Sequence, residues 1–360
     1  MTDTTSRTRI FAIDALRVVL TALVVAHHAA ITYGNIPLWF YTEPAKDPTG
    51  LLLDFFVMAN QAFFMGFFFL ISGFFTPGSH DRKGGRAFVR DRLIRLGVPL
   101  LVFLLVLRPM VNFGGHAGSG LPYGVYYFAS WDPGPMWFVE VLIVFALAYA
   151  AWRTWRGPAP ETTRTPAAPR LLWIVAYALG LAVATFLWRL LVPTGTYVPV
   201  VGLPSAQYMP QYVSMFVLGC LAYRRGWFEA LPARAARLGL GTALVSTVAL
   251  IPPALSTTGA LSSALMTLWE SVFAVSMIIG LTVTFRERRD RQGPRGRFLS
   301  EHAYTVYVIH PLVLVGLGWA LRWLEAPAVV KFALLLATAL PLCWWVAYLV
   351  RSLPHAKRVL

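Results

Sequence analysis

The sequence predicts an all-α integral membrane protein, a bundle of about ten transmembrane helices with both termini in the cytoplasm. Three observations predict it. Of the 360 residues, 57% are hydrophobic and only 13% charged, a balance too apolar for a soluble domain. Apolar stretches of about 20 residues, enough to cross a bilayer, recur along the whole chain. Finally, 25 of the 31 lysines and arginines fall between alternate stretches, the asymmetry of cytoplasmic membrane loops. The formal charge of +15 would point to nucleic acid if the basic residues formed one patch; their dispersal in short runs excludes that class.

The expected spans are 10–33, 51–75, 96–113, 134–152, 171–192, 208–223, 239–255, 262–285, 299–321 and 327–350, the sixth and seventh being short. Arg7 and Arg9 precede the first span, which reads as uncleaved because no small-residue cleavage site follows it. Basic loops are then expected at 77–95, 153–170 and 286–298, with Arg224, Arg225, Arg234 and Arg237 after the sixth span and Arg351, Lys357 and Arg358 at the C-terminus. The stretch GPAPETTRTPAAP, 157–169, is a Pro/Thr/Ala linker. The run RERRDRQGPRGR reads as a solvated loop near anionic headgroups. The segment 114–133 is rich in glycine and aromatics and can dip back into the membrane face. Cys220 and Cys343 lie in apolar segments and indicate no disulfide framework. No internal repeat is evident, which weakens an inverted-repeat transporter reading, and no soluble segment is large enough to be a folded domain, so 1–360 reads as one transmembrane domain.

Charged groups inside such spans are costly and usually functional. The first span, IFAIDALRVVLTALVVAHHAAITY, carries Asp14, Arg17, His27 and His28. Eleven residues separate Arg17 from His28, which at about 100° per residue is roughly 20° past three turns, so both project from one face about 16 Å apart. His27 lies about 100° away and reads as a neighbour of His28. The expected topology puts Arg17 in the cytoplasmic half and His28, Glu140 and Glu270 in the outer half, with Arg108 and Arg189 near the outer ends of their spans and His310 near the middle of the ninth. Plainer readings stand beside these. Asp14 and Arg17, at i and i+3, can pair simply to lower the cost of burial. Glu140 and Glu270 can be structural partners of Arg108 or Arg189, and His310 an interhelical hydrogen bonder beside a kink at Pro311.

Five ordered stretches resemble the membrane acyltransferase-3 family. DALR, ten residues and His28 look like its Arg-x10-His helix. FFFLISGFF, with Ser72 and Gly73, is similar to its Phe-Phe-x-x-Ser-Gly-Phe stretch. RDRLIRLGVP, with Arg92, Arg95 and Pro99, resembles its Arg-x-x-Arg-Leu-x-x-Pro element. PMWFVEVL is similar to its Leu-Trp-Phe-Leu stretch, with Met136 in place of Leu, and YTVYVIHP to its Tyr-x-x-Tyr-Leu-x-His stretch, with Val308 for Leu. Within the family, the long second span and the WES at Trp269 to Ser271 look like the branch of periplasmic glucan succinyltransferases.

The resemblance implies transfer of an acetyl- or succinyl-type group from a cytosolic acyl-CoA, as co-substrate, to a hydroxyl of an extracytoplasmic carbohydrate or glycolipid at the cell (inner) membrane. It implies His28 as general base, Glu140 or Glu270 orienting it, Arg17, Arg92 and Arg95 toward CoA phosphates, and Ser72, Tyr307 or His310 at the acyl group. No metal and no tightly bound cofactor is expected. Direct attack on the thioester is favoured, because the sequence places no Ser or Cys nucleophile beside His28. A transporter or flippase for a glycolipid or acylated carrier accounts equally for intramembrane charge, and a scaffold without chemistry is the third alternative.

Overall fold

Each predicted span appears as a helix in the computed structural model, which describes residues 4–116, 118–157, 166–198, 202–288 and 292–360, with side chains from Phe11 onward. The helices are α1 (Thr4–Tyr33), α2 (Gly50–Lys83), α3 (Gly85–His116), α4 (Trp137–Arg156), α5 (Leu171–Leu191), α6 (Met209–Arg225), α7 (Arg234–Ser256), α8 (Gly259–Arg288), α9 (Pro294–Ala320) and α10 (Ala328–Ser352). Among the described residues nine helical stretches are long and apolar enough to cross a membrane. The exception is α6, with 17 residues. Most of the 157–169 linker, including Arg164, lies outside the described residues, as do Arg289 and Arg291 of the basic run and the side chains of Arg7 and Arg9.

One expected loop is absent. Of the stretch 77–95, nearly all is helical, because α2 runs eight residues past the predicted end and α3 begins at Gly85. Polar residues do not end a helix once it has left the apolar layer. Here the exposed turns are held by Asp81 to Arg224 at 2.8 Å and by Asp91 to Lys83 at 2.7 Å and to Arg95 at 3.1 Å. Gly84 makes the break: its φ of +75° is open to glycine, and its N–H closes α2 on the His80 carbonyl. The 114–133 segment holds a short helix, Tyr123–Ala129, whose last carbonyls are taken by the fully buried Arg108.

The first helix is the centre of the bundle. It packs against α2, α8, α9 and α10, and Leu16, Leu20, Val25, Ala29 and Ala30 along it are at most 2% exposed. Helix α2 is locked to α6 by backbone approach. A Cβ on Gly73 would meet the Phe216 carbonyl, and one on Gly219 the Leu70 carbonyl, so small residues set this crossing. The contact explains the Ser-Gly of FFFLISGFF, which lies inside a continuous helix and not in a turn.

The arginine-bearing ends of α2, α6 and α8 meet at one end of the bundle, where Arg286 donates to the Phe228 and Glu229 carbonyls beside the Asp81–Arg224 pair. At the other end the segment after α1 folds over the helix mouths. Asp54 accepts from Asn35, Glu43 pairs with Lys331 at 2.5 Å, and Asp47 accepts the Ala328 N–H.

Candidate active site

Two prolines prepare the central contact. Pro99 has no N–H to return to the Arg95 carbonyl, and that carbonyl takes the Tyr304 hydroxyl at 3.1 Å, within a π-helical turn spanning Leu93–Gly97. Pro311 likewise leaves the Tyr307 carbonyl open, and His310 Nδ1 donates to it at 2.6 Å. Helix α9 continues through Pro311. Tyr304, Tyr307 and His310 thus form a ladder of rings along one face of α9, with Tyr307 reaching the Pro135 carbonyl at the start of α4.

A carbonyl only accepts, so the bond to Tyr307 puts the proton of neutral His310 on Nδ1 and leaves Nε2 a lone pair. His310 Nε2 lies 3.1 Å from Nδ1 of His28. His28 Nδ1 is also 3.0 Å from the Val24 carbonyl, so by the same reasoning it carries hydrogen and donates to both. His28 Nε2 is then the unprotonated nitrogen, the arrangement a general base requires. Trp39 stacks on His28 at 3.9 Å between ring centroids and His27 meets it edge-on at 5.4 Å. His310 is fully buried, whereas His28 remains partly accessible. His27 belongs to a separate contact with Asn60 at 3.3 Å, as its angular offset on α1 predicts.

The remaining predicted residues divide among several places. Glu270 pairs with Arg189 at 2.6 Å and accepts from the Tyr208 hydroxyl at 2.8 Å, all three buried; this is the structural pairing weighed above. Glu140 is half-buried at the start of α4, with one carboxylate oxygen unpartnered, in the neighbourhood of Asp132, Tyr197 and Tyr307. Neither glutamate hydrogen-bonds His28; the orienting place beside its Nδ1 is taken by His310. Outside the helices, burial pushes the Tyr197 hydroxyl up to about 12, and the Asp132 carboxylate that accepts its hydrogen adds to the shift.

Arg17 pairs with Asp14 at 3.4 Å, in line with the i, i+3 reading. Arg92 lies over the Phe88 ring with its Nε buried and unpartnered, and Arg95 is exposed beside Asp91. The Tyr307 hydroxyl is engaged by Pro135, while the Ser72 hydroxyl has no partner among the described residues. Among those residues no group of three or more His, Cys, Asp or Glu converges as a metal site.

Sequence reasoning missed Trp39 and Tyr304. Trp39 sits in the irregular segment after α1, with no periodicity to place it. Tyr304 had a signal: with Tyr307 and His310 it recurs every three residues, one face of a helix.

The chain is a membrane acyltransferase, folded as a helical bundle with an imidazole pair among its helices. The chain belongs to the acyltransferase-3 family, whose model, described as an acyltransferase domain, matches residues 10–348. It is similar to proteins named glucans biosynthesis protein C from Salmonella schwarzengrund (strain CVM19633) and Salmonella typhi, each 26% identical over 327 residues covering 85% of this chain and 83% of the relative. The protein of that name from Salmonella agona (strain SL483) is 26% identical over 335 residues, with the same coverage. No solved structure matches.

Proposed function

We propose that this acyltransferase moves an acetyl- or succinyl-type group from a cytosolic acyl-CoA to a hydroxyl of an extracytoplasmic carbohydrate or glycolipid, with His28 as general base. The observation that carries the proposal is the pairing of His28 Nδ1 with His310 Nε2, which leaves His28 Nε2 as the lone-pair nitrogen. The acceptor hydroxyl gives its proton to His28 Nε2 and its oxygen attacks the thioester carbonyl. The carbon–sulfur bond breaks, and the departing CoA thiolate recovers the proton from His28. His310 accepts from the imidazolium throughout and is a positioning residue.

The glucan in the relatives' name supports a glucan acceptor. The unpartnered oxygen of Glu140, with Asp132 and Tyr197 near it, suits contacts to sugar hydroxyls. Arg92, Arg95 and, by position, Arg17 suit the donor phosphates, and the free Ser72 hydroxyl suits the thioester carbonyl. Helix α6 spans about 26 Å and the turn Ala206–Tyr208 before it adds about 6 Å. Counted together they cross a hydrocarbon layer of about 30 Å. Ten crossings support a topology with both termini on the side of the basic ends, which the proposal takes as the cytoplasmic side of the inner membrane.

Proteoliposomes given acetyl-CoA or succinyl-CoA on one side and a glucan on the other test the reading. Release of CoA should depend on the glucan and fall by about 10²- to 10⁴-fold in His28→Ala. Movement of acceptor or acyl carrier without thioester consumption would instead establish a transporter.

A further inference from the structure

A cavity lies away from the histidines, at the arginine-bearing end. It has a volume of about 820 Å³, within the range of ligand sites, and is bounded by α5, α6 and α8 with Leu70 of α2 at its floor. Its walls are apolar, chiefly Tyr177, Met215, Leu218, Val275 and Ile278. Two features show that it is more than a gap between helices. Arg170 and Arg225 stand at its rim, and neither has a carboxylate within ion-pair distance among the described residues. Thr282, on its α8 wall, is 5% exposed, and its hydroxyl has no hydrogen-bond partner.

We infer that this cleft holds one anionic phospholipid of the surrounding leaflet. Its phosphodiester lies between Arg170 and Arg225, an ester carbonyl accepts from Thr282, and one acyl chain runs inward toward Leu70. Three relations support that occupant. The rim cations complement a single phosphate, and a basic pocket between transmembrane helices is the usual form of such a site. Thr282 is four residues inward of Arg286, about 6 Å along the axis, so its hydroxyl lies one layer below the charged rim, where an ester group follows a phosphate. The α5 wall faces the bilayer, with Leu171, Leu172 and Trp173 at 74%, 72% and 65% exposure, so the cleft fills sideways from the lipid. Trp173 and Trp227 at the mouth are aromatic groups of the kind that settle at headgroup level. Arg224, also at the rim, is neutralised by Asp81 and adds no net charge.

The test uses the purified full chain in detergent, with dioleoyl phosphatidylglycerol and dioleoyl phosphatidylcholine as probes and native mass spectrometry as readout. One phosphatidylglycerol should remain bound under conditions that strip phosphatidylcholine. Arg170→Ala combined with Arg225→Ala should weaken its retention by about 30-fold. Leu218→Trp, which fills the cleft and keeps both arginines, should abolish it, and Arg237→Ala, a basic residue outside the cavity, should leave it unchanged. Equal retention of both lipids, no effect of the double substitution, or an equal loss in Arg237→Ala would overturn the inference. So would one-for-one displacement of the lipid by palmitoyl-CoA, which would make the cleft a donor site. No acyl-transfer assay enters, so the outcome is separate from that of the proposed reaction.

Discussion

Replacing His310 with phenylalanine removes the acceptor facing His28 and the donor to the Tyr307 carbonyl. The ring volume is nearly kept, as is stacking toward Trp39 and Tyr307, which lie 5.9 and 6.0 Å from the imidazole. What bears on catalysis is the lost lone pair 3.1 Å from His28 Nδ1; the Tyr307 carbonyl left without its donor lowers stability, which the folding check reads separately. In the resting site that is a bond between neutral groups. In the proposed reaction His28 becomes an imidazolium at the transition state and the bond is charge-assisted, where such bonds contribute about 1.5–3 kcal/mol. At about 1.4 kcal/mol per tenfold, kcat should fall by about 10- to 150-fold. The loss is graded because the Val24 carbonyl at 3.0 Å still holds Nδ1–H and keeps the ring from swinging away. His310→Gln, whose amide oxygen can take the same hydrogen, should recover much of the activity. The assay is glucan-dependent CoA release in proteoliposomes with donor and acceptor varied separately, after size-exclusion chromatography has shown folded protein. A positioning residue meets neither substrate, so in that role both KM values should hold while kcat falls. A kcat within twofold of wild type, or a change confined to KM, would refute the positioning role.

Gly73→Ala should lower the thermal midpoint in detergent, at a cost of about 1–3 kcal/mol, because the new methyl group meets backbone at Phe216 and has no rotamer to escape into. Gly180→Ala on α5, with open space around its Cβ position, should raise the midpoint slightly; the same sign at both sites would defeat the packing argument. Arg189→Met leaves Glu270 buried without its cation and should cost about 3–5 kcal/mol, while adding Glu270→Gln should restore most of it. A double variant no more stable than the single one would show that the pair is not what matters. Asp47 is held below the ordinary carboxylate range first by the Thr49 hydroxyl and then by the Ala328 N–H. A folded-state value below the unfolded one favours the docked segment above about pH 4, and the contribution fades as pH falls through the lower value. Amide exchange at Ala328, corrected for its intrinsic rate, should therefore rise at acid pH, and Asp47→Ala should show the raised exchange already at neutral pH.

Length, apolarity and alternating charge made the helices legible, and the angular spacing on α1 separated His28 from His27 correctly. The ends were less legible. At 77–95 the eye reads charge as loop, yet a helix that leaves the apolar layer needs only solvent and a few ion pairs to continue. The partner of His28 was hidden for a different reason. His310 is 282 residues away, and no local rule ranks it above Glu140 or Glu270. A carboxylate was the natural expectation for orienting an imidazole, and the chain uses a second imidazole. The proline after His310 was the available clue, read as a kink when its effect is to free a carbonyl that fixes the ring. Glu270 was legible only as one of two alternatives, because a buried carboxylate looks the same in a sequence whether it serves chemistry or balances an arginine.

The α2–α6 contact has a consequence for how the chain is made. Helix α6 is short and polar for a lipid environment: Gln211 donates to the Ala62 carbonyl of α2 at 2.8 Å, and Tyr212 accepts from Gln61 of α2 at 3.0 Å. Released alone into hydrocarbon, the Gln211 amide would lose this acceptor and Tyr212 would keep only its bond to Ser205. Synthesis runs from the N-terminus, so α2 is already in the bilayer when α6 emerges, and Gly73 keeps its flank open for the newcomer. The sixth helix thus enters the membrane as a guest of the second, and the glycine in FFFLISGFF serves assembly of the bundle before it serves the finished enzyme.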